Sequence, residues 1–142
     1  MQRRQAAAAA LLALGTAFGI ARAEDLKACP RPNLSEVKST AGLMPEVRAL
    51  LGVDRPGLGG IADRGEKFNA TDDLNDEAPM RRFVLAGIGD RCSVVAIERG
   101  GRGYSVELRV FALSGSAWKE LRRKTLREVP KSVEELVANA AK

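Results

Sequence analysis

The segment Met80–Leu126, MRRFVLAGIGDRCSVVAIERGGRGYSVELRVFALSGSAWKELRRKTL, decides the fold of this chain. It contains four runs with β-strand patterning, and a short glycine-bearing turn separates each run from the next. The turns are Gly89-Asp90, Gly100-Gly101-Arg102-Gly103 and Ser114-Gly115-Ser116. Runs and turns of this kind predict an antiparallel meander of four strands.

The polarity of the runs predicts which faces of the sheet are covered. In the third run, Ser105, Glu107 and Arg109 alternate with apolar residues, so we expect part of that face to be solvated. The first two runs are apolar on both faces, which indicates that a helix or a long loop covers them. Simple alternation in the first run places Phe83, Leu85 and Gly87 on one face.

Two helices are predicted outside the meander. Met44–Leu51 carries Pro45 at its start and Gly52 at its end, which suits a short helix. Ser132 and Glu135 fit a capping box, followed by an apolar stripe that should lie on the sheet. Leu34–Val37 fits one further helical turn. The fold class is therefore α+β: a four-stranded antiparallel β-meander with one or two short helices packed on it.

Residues 52–79 form a long connection that is rich in glycine and acidic residues. It has little periodic pattern, apart from one short strand expected around Lys67–Ala70. Connections of this length in small domains are often functional. Its mostly acidic cluster contains Asp72, Asp73, Asp76 and Glu77.

Residues 1–23, MQRRQAAAAALLALGTAFGIARA, have the pattern of a cleaved signal peptide. Arg3 and Arg4 precede the uncharged apolar run Ala6–Ile20, and Ala21-Arg22-Ala23 offers small residues for signal peptidase. The run is short for a membrane-spanning helix, which needs about 20 apolar residues. We therefore expect residues 24–142 to form a single exported domain, periplasmic or secreted, that is not transmembrane after processing.

Export changes the interpretation of the two cysteines and of the charge. Cys29 and Cys92 are the only cysteines, and in an oxidising compartment they predict one disulfide. In the simple loop model this bond stabilises the domain by about 4 kcal/mol. Removal of Arg3, Arg4 and Arg22 would leave 20 basic and 18 acidic side chains, a net charge of +2 rather than +5. So small a charge does not favour nucleic acid as the partner.

The residue types restrict the chemistry. The chain contains no histidine, which removes the commonest general base, a frequent metal ligand and any Ser-His-Asp site. No spacing typical of a metal or cofactor site is present, so we expect no metal and no cofactor. The sequence therefore predicts a protein that is not an enzyme.

Arg99, Arg102 and Tyr104 flank or occupy the glycine-rich turn and are the predicted binding residues, because arginine and tyrosine are enriched at binding hot spots. The primary hypothesis is an exported module that binds another protein, of accessory, inhibitor or immunity type. One alternative is binding to a polyanion or an anionic membrane surface through Arg81, Arg82, Arg99, Arg102 and Arg122–Lys124. Another is a small hydrolase that uses Asp72, Asp73 and Asp76.

Overall fold

The computed structural model describes residues 34–142 as a five-stranded antiparallel sheet with a helix on each face. The strands lie in chain order across the sheet, from β1 to β5. The elements are β1 (Ser35–Val37), α1 (Pro45–Leu51), β2 (Arg81–Ile88), β3 (Cys92–Arg99), β4 (Ser105–Ser114), β5 (Ala117–Leu126) and α2 (Val133–Ala140). The predicted α+β class and antiparallel meander are therefore confirmed, with β2–β5 as its four predicted runs.

The prediction of four strands was wrong, because Ser35–Val37 forms a strand and not a helical turn. Its residues pair with Ile88, Gly87 and Ala86 on the outer edge of β2. Three residues are too few to show a periodic pattern in the sequence. Pairing with the edge of β2 stabilises their extended conformation. β1 therefore makes the sheet five-stranded.

Both faces of the sheet are covered, and adjacent residues of β3 show how. Val94 belongs to a core with Leu136 of α2, whereas Val95 belongs to a second core with Val47 and Leu51 of α1. Because successive strand residues point to opposite faces, α1 and α2 lie on opposite sides of the sheet. We call these the α1 face and the α2 face. This confirms the expectation that the apolar first two runs are covered.

Strand β2 contains a register shift that overturns simple alternation. Phe83 pairs with Ile97 and Leu85 pairs with Ala96, so Val84 is inserted between them as in a β-bulge. Phe83 consequently packs in the α1-face core, whereas Leu85 packs in the α2-face core. The prediction that these two residues share a face was wrong, because alternation does not reveal where an extra residue interrupts a ladder.

Each helix begins as its sequence predicts. Pro45 is the first residue of α1, and the helix ends at Leu51 before Gly52. At α2, the Ser132 hydroxyl accepts a hydrogen bond from the Glu135 amide at 3.3 Å. Glu36 of β1 adds a cap, since its carboxylate accepts the Val133 amide at 2.9 Å. The strand that the sequence missed thus helps to place α2.

The long connection between α1 and β2 is irregular but well bonded. Gly57–Gly59 form a 3-10 turn, and Ala62 makes an isolated parallel bridge to Arg82. The suggested strand around Lys67–Ala70 is not formed. Instead, buried Asn69 binds the segment through its side chain: its amide donates to the Asp73 carbonyl at 2.6 Å, and its oxygen accepts from Thr71.

The predicted signal peptide and Cys29 lie outside the described residues, so export and the disulfide stay predictions. Cys92 is buried at the start of β3, and no described cysteine is free. Among residues 34–142, no helix has the length and apolar character needed to cross a bilayer.

Candidate anion-binding groove

Two pairs of arginines face each other across neighbouring strands. Arg81 of β2 is the register partner of Arg99 of β3, and Arg109 of β4 is the register partner of Arg123 of β5. Like charges directly opposite one another destabilise a sheet. A fold that keeps two such pairs holds a concentration of positive charge at the cost of stability.

All four arginines line one groove of about 610 Å³ on the α1 face, near the ends of β2–β5. The loop after α1 and the turn between β3 and β4 complete its walls. Among the described residues of the lining, Glu107 is the only acidic one against six arginines, an excess of five positive charges. We call this site the arginine groove; its cations are Arg55, Arg81, Arg99, Arg102, Arg109 and Arg123.

Glu107 and Arg109 form a buried ion pair in the floor of the groove. Arg109 donates from Nε and Nη2 to Glu107 Oε2 at 3.3 and 3.1 Å, and Arg99 donates to Oε1 at 3.0 Å. Burial alone would raise the pKa of Glu107, but these hydrogen bonds outweigh it and hold the pKa below its usual value. Glu107 and Arg109 themselves are buried, although the sequence placed them on the partly solvated face, because the two charges pair with each other beneath the groove.

Arg81 has a structural part in the groove as well as a charge. Its guanidinium donates to the carbonyls of Leu51 and Gly59, at 2.9 and 2.5 Å, and so fixes the end of α1 and the 3-10 turn against the sheet. Burial lowers the pKa of Arg81, and repulsion from Arg109 and Arg55 lowers it further. The groove is therefore a region where cations repel each other without full compensation.

Arg55 and Arg102 are the most available donors. Both are exposed, and within residues 34–142 neither side chain makes a hydrogen bond or an ion pair. Arg55 lies on the loop after α1, and Arg102 lies on the turn between β3 and β4. Guanidinium groups that are planar, always charged and uncommitted suit bidentate binding of carboxylate or phosphate oxygens.

The turn that carries Arg102 is held by the long connection. The Gly100 amide donates to the Met80 carbonyl at 2.8 Å, and the Gly101 amide donates to the Thr71 carbonyl at 2.9 Å. Gly100 is buried so closely against the backbone of Asn69 and Ala70 that a Cβ atom there would collide with it. The connection of residues 52–79 therefore shapes the groove without placing its acidic residues in the lining.

Tyr104, the third predicted binding residue, lies apart from the groove. Its hydroxyl donates to Glu98 Oε1 at 2.7 Å, and Arg82 binds the same carboxylate at 2.6 Å. Partial burial and the Glu98 hydrogen bond raise the pKa of Tyr104 to about 12. Arg82 also stacks on the Phe68 ring, 4.3 Å from its centroid. The structure thus brings Arg99 and Arg102 together and places Tyr104 in a separate cluster.

The basic run of β5 is divided between two faces. Arg123 faces the groove, whereas Arg122 and Lys124 donate to the carbonyls of Ala140 and Asn139 near the end of α2. Positive groups at that position complement the helix dipole. The residues proposed for polyanion binding therefore do not form one continuous patch, since Arg82 also lies elsewhere.

The acidic side chains of the loop bond to nearby backbone amides. Asp73 and Asp76 accept hydrogen bonds from the amides of Asn75 and Ala78, both at 2.9 Å. The Ala78 amide lowers the pKa of Asp76, the reverse of what a general acid requires. In the part of the chain that the structure describes, no group of three or more acidic or cysteine side chains could hold a metal ion.

Sequence reasoning missed Arg55 and Arg109 as members of the site, and it named Arg123 only within the run Arg122–Lys124 of the polyanion alternative. Arg109 and Arg123 were visible as charges on predicted strands, and pairing the third run with the fourth through the Ser114–Ser116 turn would have placed them near each other. Arg55 has no such signal, because only the packing of α1 on the sheet brings its loop to the groove.

Searches of protein-family models, curated proteins and solved structures found no match to this chain.

Proposed function

We propose that this protein is a non-enzymatic binding module that recognises an acidic segment of another protein through the arginine groove. The observation that carries the proposal is that six arginines line one groove, whereas Glu107 is the single carboxylate among its described lining residues. Charged and paired arginines are the residues that bind carboxylates most specifically, through two parallel hydrogen bonds.

The groove already binds a carboxylate of its own chain. Glu107 accepts three hydrogen bonds from Arg99 and Arg109, all between 3.0 and 3.3 Å. An Asp or Glu side chain of a ligand could accept similar hydrogen bonds from the arginine nitrogens that do not bond Glu107. This similarity supports carboxylates as the groups that the groove binds.

The proposal includes export and a disulfide. Residues 1–23 would be removed, and Cys29 would bond with Cys92 in an oxidising compartment. The buried position of Cys92 suits such a bond. Mass spectrometry of the protein exported by a bacterial host tests the processing: the measured mass should equal that of residues 24–142. Labelling of free thiols tests the disulfide: without reductant, no cysteine should react.

Titration of residues 24–142 with short acidic peptides by calorimetry tests the binding function. We expect binding that weakens as salt rises, because the attraction is between charges near the surface. Exchange of Arg55 and Arg102 for Gln together should reduce affinity by about tenfold or more, since charge-assisted hydrogen bonds are lost.

Arg64→Gln with Arg91→Gln is the matched control, because both arginines are exposed and neither lines the groove. This control removes the same net charge and should change affinity little. Equal losses in the two double variants would contradict the proposal, as would the absence of binding to every acidic peptide.

Binding of a uniform polyanion is the second candidate function, and the excess of arginine over acid in the groove favours it. Heparin-like polymers and anionic vesicles are the probes. Binding to these, with none to acidic peptides, would replace the first proposal.

A further inference from the structure

Strand β5 is the long free edge of the sheet. Among the described residues it pairs with β4 alone, and no described residue outside β4 bonds to its backbone. Ala117–Thr125 are all at least partly exposed. At the opposite side of the sheet, β1 has only three residues, and Ala62 bridges to β2 beside it. Since an edge strand directs alternate N–H and C=O groups outward, β5 offers the longest row of unpaired strand backbone within residues 34–142.

A bulge divides this edge into two parts. Arg122 and Glu120 pair with consecutive residues of β4, so Leu121 is an extra residue between them. Bulges interrupt the ladder and protect an edge from further pairing. Over Arg122–Leu126 the pairing with β4 is regular. These five residues therefore form an edge as long as an average strand.

The regular part of the edge is basic. Arg122–Leu126 contains three cations and no acid. Arg123 forms an ion pair with Glu120, which lies before the bulge. Arg122 and Lys124 bond only carbonyl oxygens among the described residues, so their charges remain uncompensated. An extended segment with acidic side chains is the complement of such an edge.

Two other occupants fit this edge less well. A second copy of the chain would bring like charges together along β5, which destabilises a sheet. Residues 24–33 of the same chain carry no net charge, and their Pro30 and Pro32 have no N–H to donate to a ladder. The charge of the edge therefore favours an acidic strand from another protein.

Two hollows flank the regular part of the edge, one on each side of the sheet. Arg123 lines the arginine groove on the α1 face. On the α2 side, a hollow of about 740 Å³ is lined by Lys124, by the loop after β5 and by α2. Successive side chains of a strand point to opposite faces. A strand added here has space for its side chains on both faces.

We propose that an acidic segment of another protein adds to β5 along Arg122–Leu126, as a sixth strand of the sheet. The backbone of the segment bonds the outward N–H and C=O groups of β5. Its consecutive acidic side chains meet Arg123 on the α1 face and Lys124 on the α2 face. This inference rests on the proposed function, because it states how the acidic segment is held beside the arginine groove.

Calorimetry with methylated peptides tests the backbone contacts. The parent peptide, Thr-Val-Glu-Glu-Glu-Val with blocked ends, is titrated into the exported protein, residues 24–142. One analogue carries N-methyl groups on its first, third and fifth amides, which leaves one edge of the peptide free. The matched analogue carries them on its third, fourth and fifth amides, which obstructs both edges. We expect the first to bind within about threefold of the parent, and the second to bind about tenfold more weakly or worse.

A variant of the protein separates the edge from the groove. Lys124 is not among the described residues that line the groove, so Lys124→Gln should weaken the parent peptide, by about threefold or more, only if the segment lies along β5. Lys119→Gln is the matched control, because Lys119 is exposed on the same strand but lies before the bulge. Outward amides of Arg122–Leu126 should also exchange hydrogen more slowly in the complex.

The outcomes separate this inference from the proposed function. If no acidic peptide binds, the proposed function itself is wrong, and the added strand with it. If both analogues bind equally and the amides of Arg122–Leu126 exchange at an unchanged rate, the groove binds acidic side chains without an added strand. A dimer of the free protein in sedimentation, with these amides already protected, would make a second copy the occupant and would overturn the inference.

Discussion

Glu107 is the residue on which the floor of the arginine groove depends. It neutralises Arg109 in a buried site and also holds Arg99. Removal of one partner of a buried ion pair leaves the other charge uncompensated, which costs about 3–5 kcal/mol. The residue is therefore structural even though it lies in the candidate site.

The pH dependence of stability should reveal this role. The folded-state pKa of Glu107 is below its unfolded value, so its contribution is complete above about pH 4.3 and disappears as the pH falls through the folded pKa. Glu107→Gln should lower the free energy of unfolding at about pH 7, and its deficit should shrink as the pH falls towards about 3. Urea denaturation at several pH values measures it. An equal deficit at every pH would contradict the assignment, and exposed Glu128→Gln is the control.

A second prediction concerns Gly100 in the turn beside the groove. A Cβ atom at this position would meet the Asn69 carbonyl and the Ala70 backbone, and backbone cannot move aside as a flexible side chain can. We expect Gly100→Ala to destabilise the protein by about 1–3 kcal/mol, in the range of other overpacked sites. Gly59→Ala is the matched control, because a Cβ atom there meets nothing within 4 Å. A thermal melt that shifts equally in both variants would argue against this contact.

Strand β2 and helix α2 show how one element positions another. Gly87 lies beneath α2, and a Cβ atom at Gly87 would collide with the Val133 side chain. The absent side chain lets the helix start close to the sheet, where Glu36 caps it. Glycine is therefore required at this position by the close packing of α2 and not by a turn.

Substitution of this glycine should disturb the start of α2. Gly87→Ala should cost about 1–3 kcal/mol, because the helix must move away from the sheet. Relative to the unsubstituted protein, amide hydrogen exchange in Gly87→Ala should become faster in α2 and change less in β3 and β4. Unchanged protection of α2, together with unchanged stability, would contradict this packing account.

Strand β5 combines three different uses of positive charge in one element. Arg123 contributes to the groove, Arg122 and Lys124 bind carbonyls near the end of α2, and Lys119 is exposed. Among the described residues, β5 pairs with β4 alone. Lysine and arginine on such an edge also discourage edge-to-edge aggregation.

At the scale of the whole molecule, one sheet serves two separate cores. The α1 face carries one core and the groove, while the α2 face carries the other core. Because the strands are common to both, loss of either helix exposes apolar residues of the same sheet. The described domain should therefore unfold as one cooperative unit.

Paired substitutions in the two cores test this unity. Leu136→Ala should cost about 2–5 kcal/mol, and Val47→Ala should cost less because fewer atoms are removed. The two sites lie on opposite faces, so their effects should add to within about 0.5 kcal/mol in a single urea transition. Two separate transitions would show instead that the layers unfold independently.

The local pattern of the sequence predicted much of this architecture. Alternation and glycine turns identified β2–β5, and Pro45, Ser132 and Glu135 marked the starts of the helices, because these signals depend on neighbours along the chain. The absence of histidine from the composition by itself removed the chemistries that require an imidazole. Arg99 and Arg102, which the sequence predicted as binding residues, both line the groove.

Only the tertiary structure decided where the charges meet. The register of β4 against β5, and the packing of α1 on the sheet, bring Arg55, Arg109 and Arg123 to the groove and take Tyr104 away from it. The β2 bulge, the pairing of β1 and the burial of Glu107 with Arg109 likewise depend on residues distant in sequence. Alternation gives the face of a side chain within one strand, whereas the assembly of a charged site depends on the alignment of all the strands and on what covers them.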